Sequence, residues 1–151
     1  MAEPECPGGD SIMSSPAMRL LPDNHCFRLT EDADYTWCHD TEEYDALRLQ
    51  VPEGFRHDFA SVPRLLWWFV SPVDLGLASI FHDWLYRKGG RVVTLGRSRV
   101  DGTWREVEKP WSRFDADRLF ARIMREQGIS RLRRRTAFKA VQWLGGDGWR
   151  V

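Results

Sequence analysis

Apolar and polar positions follow two different periods along this chain, and the change of period marks its elements. In the first third the alternation is strand-like: Cys26 to Thr30, Tyr35 to His39 and Ala46 to Val51 read as short strands. The acidic turns Glu31-Asp32-Ala33-Asp34 and Asp40-Thr41-Glu42-Glu43 separate them. Pro52 to Pro63 reads as a strand leading into a loop, where Ser61 caps a short helix opened by Pro63 and carrying Leu65 to Val70. Ser71-Pro72 ends that helix. From about Leu75 to Tyr86 or Arg87 the period becomes helical, with Ala78, Phe81, His82 and Leu85 at i, i+3, i+4 and i+7. A second helix runs from about Ser112 to Glu126 with Asp117, Phe120, Ala121 and Met124 on its stripe, and stops near Gly128. A third, capped by Ser130 and striped by Ala137, Ala140, Val141 and Leu144, ends at Gly145-Gly146. Between the first two helices, Arg91 to Leu95 and Thr103 to Val107 read as a β-hairpin inserted over residues 88–110. Residues 1–22, rich in Pro, Gly and Ser, read as a flexible or extended arm. The expectation is therefore an arm followed by one α+β domain over 23–151, in which a small antiparallel β-sheet packs with three main helices.

Two of the helical stripes carry an ionisable residue where an apolar one is expected. A buried imidazole and a buried carboxylate are each costly alone and stable together. The economical arrangement has the two helices face to face, with Asp117 accepting a hydrogen bond from His82. That arrangement orients a general base. It also describes a buried structural staple, so the residues alone leave both roles open.

Composition narrows the class. A chain of 151 residues suffices for one domain with a modest core, and eight tryptophans put large rings into it. No apolar run approaches the roughly 20 residues of a membrane span. Met1 to Asp10 carries Glu3, Glu5 and Asp10 but no Lys or Arg, unlike a signal peptide. Cys6, Cys26 and Cys38 are odd in number and lack metal-type spacing, which predicts no disulfide framework. Net charge is zero but uneven: residues 1–60 hold 13 acids against four Arg, and residues 115–151 hold four acids against nine bases. The Arg131, Arg133, Arg134 and Arg135 run reads as a solvated helix face rather than a nucleic-acid surface, because no aromatic residues interleave with it.

Three ordered blocks resemble a known family. Gly54-Phe55-x-x-Asp58-Phe59-Ala60-Ser61-Val62-Pro63, His82-Asp83-Trp84-Leu85-Tyr86 and Ala116-Asp117-Arg118-x-Phe120 are similar to domain-of-unknown-function family 1353, small phage and bacterial proteins. The resemblance covers roughly residues 46–145 and implies a phage or prophage origin, with the protein in the host cytoplasm or associated with the virion and phage structural proteins as partners. His57 stands where that family usually has Thr.

A more distant resemblance implies chemistry. His82-Asp83-x-x-Tyr86 on one helix and Asp117-x-x-Phe120-x-x-x-Met124 on the next are similar to the helix pair of phospholipases A2. It implies a core with those two helices face to face and an ester, lipid-like substrate. His82 would take a proton from the attacking water, Tyr86 and Asp117 would fix the imidazole, and Asp83 would bind Ca2+ or another divalent cation. Where phospholipases A2 have a Gly-rich calcium loop, this chain has Arg64-Leu65-Leu66-Trp67-Trp68. Asp58, Ser61 and His57 are the candidates to complete a different site there, with Asp58 as a second metal ligand. The order His57…His82-Asp83…Asp117 also resembles metal-dependent phosphohydrolases of the HD superfamily. The functional expectation is thus a phage-encoded hydrolase-like protein, against a noncatalytic virion or host-interaction protein in which the same pair is structural, and an HD-type phosphohydrolase as a further reading.

Overall fold

A computed structural model of the chain describes residues 17–21, 26–58, 72–144 and 149. The segments that carry Ser61, the short helix of Leu65 to Val70 and most of the N-terminal arm lie outside them. The described residues form two antiparallel sheets and three helices, an α+β fold. The smaller sheet orders β1 (Met18–Leu20), β2 (Cys26–Leu29) and β5 (Arg56–Asp58). The larger orders β3 (Ala33–Cys38), β4 (Tyr44–Val51), β6 (Thr94–Ser98) and β7 (Trp104–Val107). The helices are α1 (Pro72–Arg87), α2 (Arg113–Glu126) and α3 (Arg131–Leu144).

The larger sheet owes its inner face to alternation. Ala33, Tyr35 and Trp37 on β3 and Leu47, Leu49 and Val51 on β4 are buried, and the residues between them are more exposed. Tyr35 stacks on Trp37 with ring centroids 5.5 Å apart and meets Phe81 of α1 at 5.8 Å. Trp111, just before α2, closes the core edge-on against Trp37 and donates its Nε1–H to Thr94 Oγ1 at 2.9 Å. Burial and the bond to Glu126 hold the Tyr35 hydroxyl well above the usual phenol range, so Tyr35 remains a neutral donor.

Several sequence expectations need correction. The one small sheet is two, because β1, β2 and β5 pair separately from the rest. The hairpin between α1 and α2 forms as expected and is also built into the larger sheet, β6 pairing with β4 as well as with β7. Its inward positions are Thr94, Gly96 and Ser98, too polar to announce a core-facing strand. Gly96 is required there, since a Cβ would lie 2.5 Å from Tyr44 Cδ1 and 2.6 Å from Val107 Cγ2. α1 begins at Pro72, earlier than the expected start near Leu75, at a position where a missing N–H costs nothing. Cys38 is disulfide-bonded, against the expectation of a chain without disulfides, and Cys26 is a free thiol.

The helix ends are set by local chemistry. Ser112 caps α2 in a reciprocal capping box with Asp115. Hydrogen bonds from Ser112, helped by Lys109 and Arg118, outweigh partial burial and hold the Asp115 carboxyl below its ordinary value. Gly128, at φ +75°, turns the chain out of α2 toward α3.

Candidate functional site

The facing stripes of α1 and α2 form largely as their periodicity predicts. Ala78, Phe81, His82 and Leu85 are buried on α1, and Asp117, Phe120 and Met124 on α2, where Ala121 is only half-buried and Ala116 is buried instead. His82 Nε2 lies 2.9 Å from Asp117 Oδ1. Tyr86, one turn along α1, donates its hydroxyl to the same oxygen at 2.6 Å. The i, i+4 spacing also lays the Tyr86 ring against His82, centroids 4.1 Å apart, and Phe120 covers the imidazole at 5.0 Å.

The tautomer follows from the partner. A carboxylate only accepts, so Nε2 carries the proton donated to Asp117 and Nδ1 keeps its lone pair. No described residue hydrogen-bonds Nδ1. The His82 side chain retains 10% exposure while that of Asp117 retains 3%. Burial, then the bond to Asp117, holds the Tyr86 hydroxyl well above the usual phenol range, so it remains a proton donor to the carboxylate. Arg113, in the first turn of α2, donates Nε–H to Tyr86 Oη at 3.1 Å and its terminal nitrogen to the carbonyls of Val141 and Gln142. The chain of bonds therefore runs from His82 through Asp117, Tyr86 and Arg113 to the last turns of α3. Trp149 abuts the Tyr86 ring at 5.1 Å.

A second histidine–carboxylate pair stands beside the first. His57 Nδ1 lies 2.7 Å from Asp83 Oδ2, and Ser79 Oγ lies 3.1 Å from His57 Nε2. His57 lies in the interior, 1% exposed. Pairing of β5 with β2, Phe27 opposite His57, puts alternate β5 side chains on opposite faces, and His57 takes the inner one. Asp83 is buried as well, at 9% exposure. Ser79, which no motif singled out, sits one turn before Asp83 on the same face of α1. The i, i+4 spacing of a serine and an aspartate was its sequence signal. Carboxylate, imidazole and hydroxyl fall in the order of a nucleophilic triad. Ser79 is only 4% exposed, however, and its hydroxyl also lies 2.9 Å from the Gly76 carbonyl oxygen. The trio ties β5 to α1.

The adjacent residues His82 and Asp83 thus point to different partners, one across to α2 and the other back to β5. The four residues His57, His82, Asp83 and Asp117 occur as two pairs. Among the described residues, no group of three or more His, Cys, Asp or Glu gathers as a metal ion requires. The Asp58 side chain and Ser61 lie outside the described residues.

No helix among the described residues is long and apolar enough to cross a membrane. No curated protein and no solved structure matches the chain. A family model does, over residues 27–141, which span β2 to the last turn of α3 and include both histidine pairs. The chain therefore belongs to the family described as proteins of unknown function, DUF1353.

Proposed function

We propose that this chain is a phage- or prophage-encoded hydrolase-like protein whose His82–Asp117 dyad activates water against an ester bond. The observation that supports the reading is the asymmetry of the His82 ring: Nε2 is held 2.9 Å from a buried carboxylate, and Nδ1 has no described partner. In the proposed step, a water oxygen attacks the ester carbonyl carbon while its proton passes to Nδ1. Asp117 stabilises the imidazolium through Nε2–H. As the tetrahedral intermediate collapses, the leaving alkoxide takes the proton from Nδ1, giving an acid and an alcohol. Tyr86 and Arg113 act as positioning residues by holding Asp117. The lipid-like character of the ester rests on the phospholipase-like helix pattern alone. A divalent ion at Asp83 and Asp58 would polarise the carbonyl, but Asp83 Oδ2 is engaged by His57 at 2.7 Å, and no step here passes through a metal.

The test is hydrolysis of nitrophenyl esters of increasing acyl length, with and without Ca2+, by wild type and His82→Gln. The expected loss in the variant is about 100-fold or more, with the fold retained by circular dichroism. Equal turnover in both proteins, or none in either, would overturn the proposal.

A second reading is favoured by burial. His82 is 8% and Asp117 2% exposed, as suits a staple in a noncatalytic virion or host-interaction protein. An imidazole that does not titrate between pH 5 and pH 8 (the range about its ordinary value) would support the staple. The HD-type reading needs His57, His82, Asp83 and Asp117 around shared metal, whereas here they bond pairwise.

A further inference from the structure

The arginine run of α3 does not simply face water. It meets a second arginine series on α2 across a cavity of about 680 Å³. Helical spacing explains the meeting: Arg118, Arg122 and Arg125 recur at i, i+4 and i+7 on α2, and Arg131, Arg134 and Arg135 at i, i+3 and i+4 on α3. Lys109 adds a seventh cation from the loop after β7, and Trp37, Trp111 and Leu119 form an apolar floor. Among the described residues one carboxylate lines the same space, Asp115, and it is already bonded by Ser112 at the α2 N-cap. Glu126 bonds Arg122 at 3.1 Å, which leaves the cluster strongly positive.

Like charges held this close repel one another unless an anion joins them. Two features accompany the cluster. Arg134 Nε is buried and has no hydrogen-bond partner. His39, on the cavity wall, is pushed below its ordinary value by burial and then by Lys109 and Arg122.

We propose that this cavity binds a small ligand bearing several phosphoryl groups. Guanidinium forks match phosphoryl oxygens with paired hydrogen bonds, which favours phosphoryl over carboxylate or halide anions. The volume falls within the about 300–1,000 Å³ of small-molecule sites, and the cations surround a concavity between two helices and the sheet edge. A nucleic-acid strand would instead call for a basic stripe that continues along the surface. The site uses a different face of α2 from Asp117 and does not depend on the ester-hydrolase reading.

The probe is inorganic tripolyphosphate, titrated calorimetrically into the full chain at low salt, with sulfate and a 20-nucleotide oligothymidylate in parallel. Expected is saturable one-to-one binding of tripolyphosphate, tighter than sulfate and weakened by added salt. Arg131→Gln and Arg135→Gln, both exposed, should each lower the affinity by about tenfold. Arg118→Gln on the opposite wall should do the same, which separates a site effect from any disturbance of α3. Bound anion should also raise the titration midpoint of His39, a response that structural disturbance alone would not give. No saturable binding, binding indifferent to all three substitutions, or oligothymidylate binding that tripolyphosphate cannot displace overturns the proposal, the last in favour of a nucleic-acid surface.

Discussion

Replacing Asp117 by Ala removes one oxygen that serves two buried donors. Oδ1 accepts from His82 Nε2 at 2.9 Å and from Tyr86 Oη at 2.6 Å, and Asp117 is 2% exposed, so water is poorly placed to substitute. Each donor left unsatisfied costs about 1–3 kcal/mol, which sums to about 2–6 kcal/mol for the pair. Breaking a buried ion pair from one side is independently put at about 3–5 kcal/mol, within the same range and not additional to it. A loss of about 4 kcal/mol is a large share of the roughly 5–15 kcal/mol that keeps a domain folded. With a urea dependence of about 2 kcal/mol per molar, the midpoint should fall by about 2 M. Eight tryptophans give a fluorescence signal for the transition. Asp117→Asn keeps an acceptor oxygen and the side-chain shape, and should cost less than Asp117→Ala. The damage should also reach α3, because Tyr86 holds Arg113, and Arg113 holds the carbonyls of Val141 and Gln142. Amide exchange in the last turns of α3 should therefore quicken. A midpoint shift under about 0.5 M at unchanged slope, corresponding to about 1 kcal/mol, would refute the account of Asp117 as a shared buried acceptor.

Two further predictions test parts of the fold that place the helices. Gly90 has φ +75°, and a Cβ there would lie 2.1 Å from the Trp111 carbonyl oxygen. Gly54, at φ +83°, has nothing within 4 Å of its hypothetical Cβ. Gly54→Ala should cost only backbone strain, about 1–2 kcal/mol, and Gly90→Ala clearly more, because Trp111 leads into α2. Equal losses in urea denaturation would remove the steric part of the argument. In the β6–β7 turn, Asp101 accepts from the hydroxyl and backbone N–H of Thr103 and pairs with Arg105, and these hold its carboxyl down to about 2 from an ordinary 3.8. A depressed folded value means that its contribution is complete above about pH 4 and is lost as pH falls toward 2, the side on which protons bind the unfolded chain more strongly. A carboxyl-detected NMR titration of Asp101 with its midpoint near 3.8 would show that the turn does not hold the charge.

What could be read without coordinates follows from the range over which each feature is specified. The His82–Asp117 pair was legible because helical periodicity is local: an ionisable residue on an apolar stripe declares itself within two turns, and two such stripes need each other. The start of α2 near Ser112 and its stop near Gly128 were legible for the same reason. The burial of His57 was not, since β5 is three residues long and its inner face is decided by register with β2, some thirty positions earlier. The partner of β6 was hidden by Thr94, Gly96 and Ser98, which carry no apolar alternation although each is buried. Arg131, Arg133 and Arg135 are exposed, as a solvated face expects, but their own helix says nothing of what they face. The cavity exists through the phase of α2, and neither helix shows it alone.

The two histidine pairs also impose a division of labour on α1. Asp83 and Ser79 fasten that helix to β5, and His82 and Tyr86 fasten it to α2. If both were staples, the helix would be clamped twice through polar pairs where apolar contacts could serve at lower desolvation cost. The pairs are not equivalent, however. In the His57 pair both ring nitrogens are engaged and the ring is 1% exposed. In the His82 pair one nitrogen has no described partner and the ring retains some exposure. A helix held rigidly by the first pair would present the imidazole of the second with its orientation already fixed, as a general base requires. On this argument the closed pair is structural and the open one is where chemistry should be sought. Ser79→Ala should then alter stability without altering the pH dependence of any ester hydrolysis.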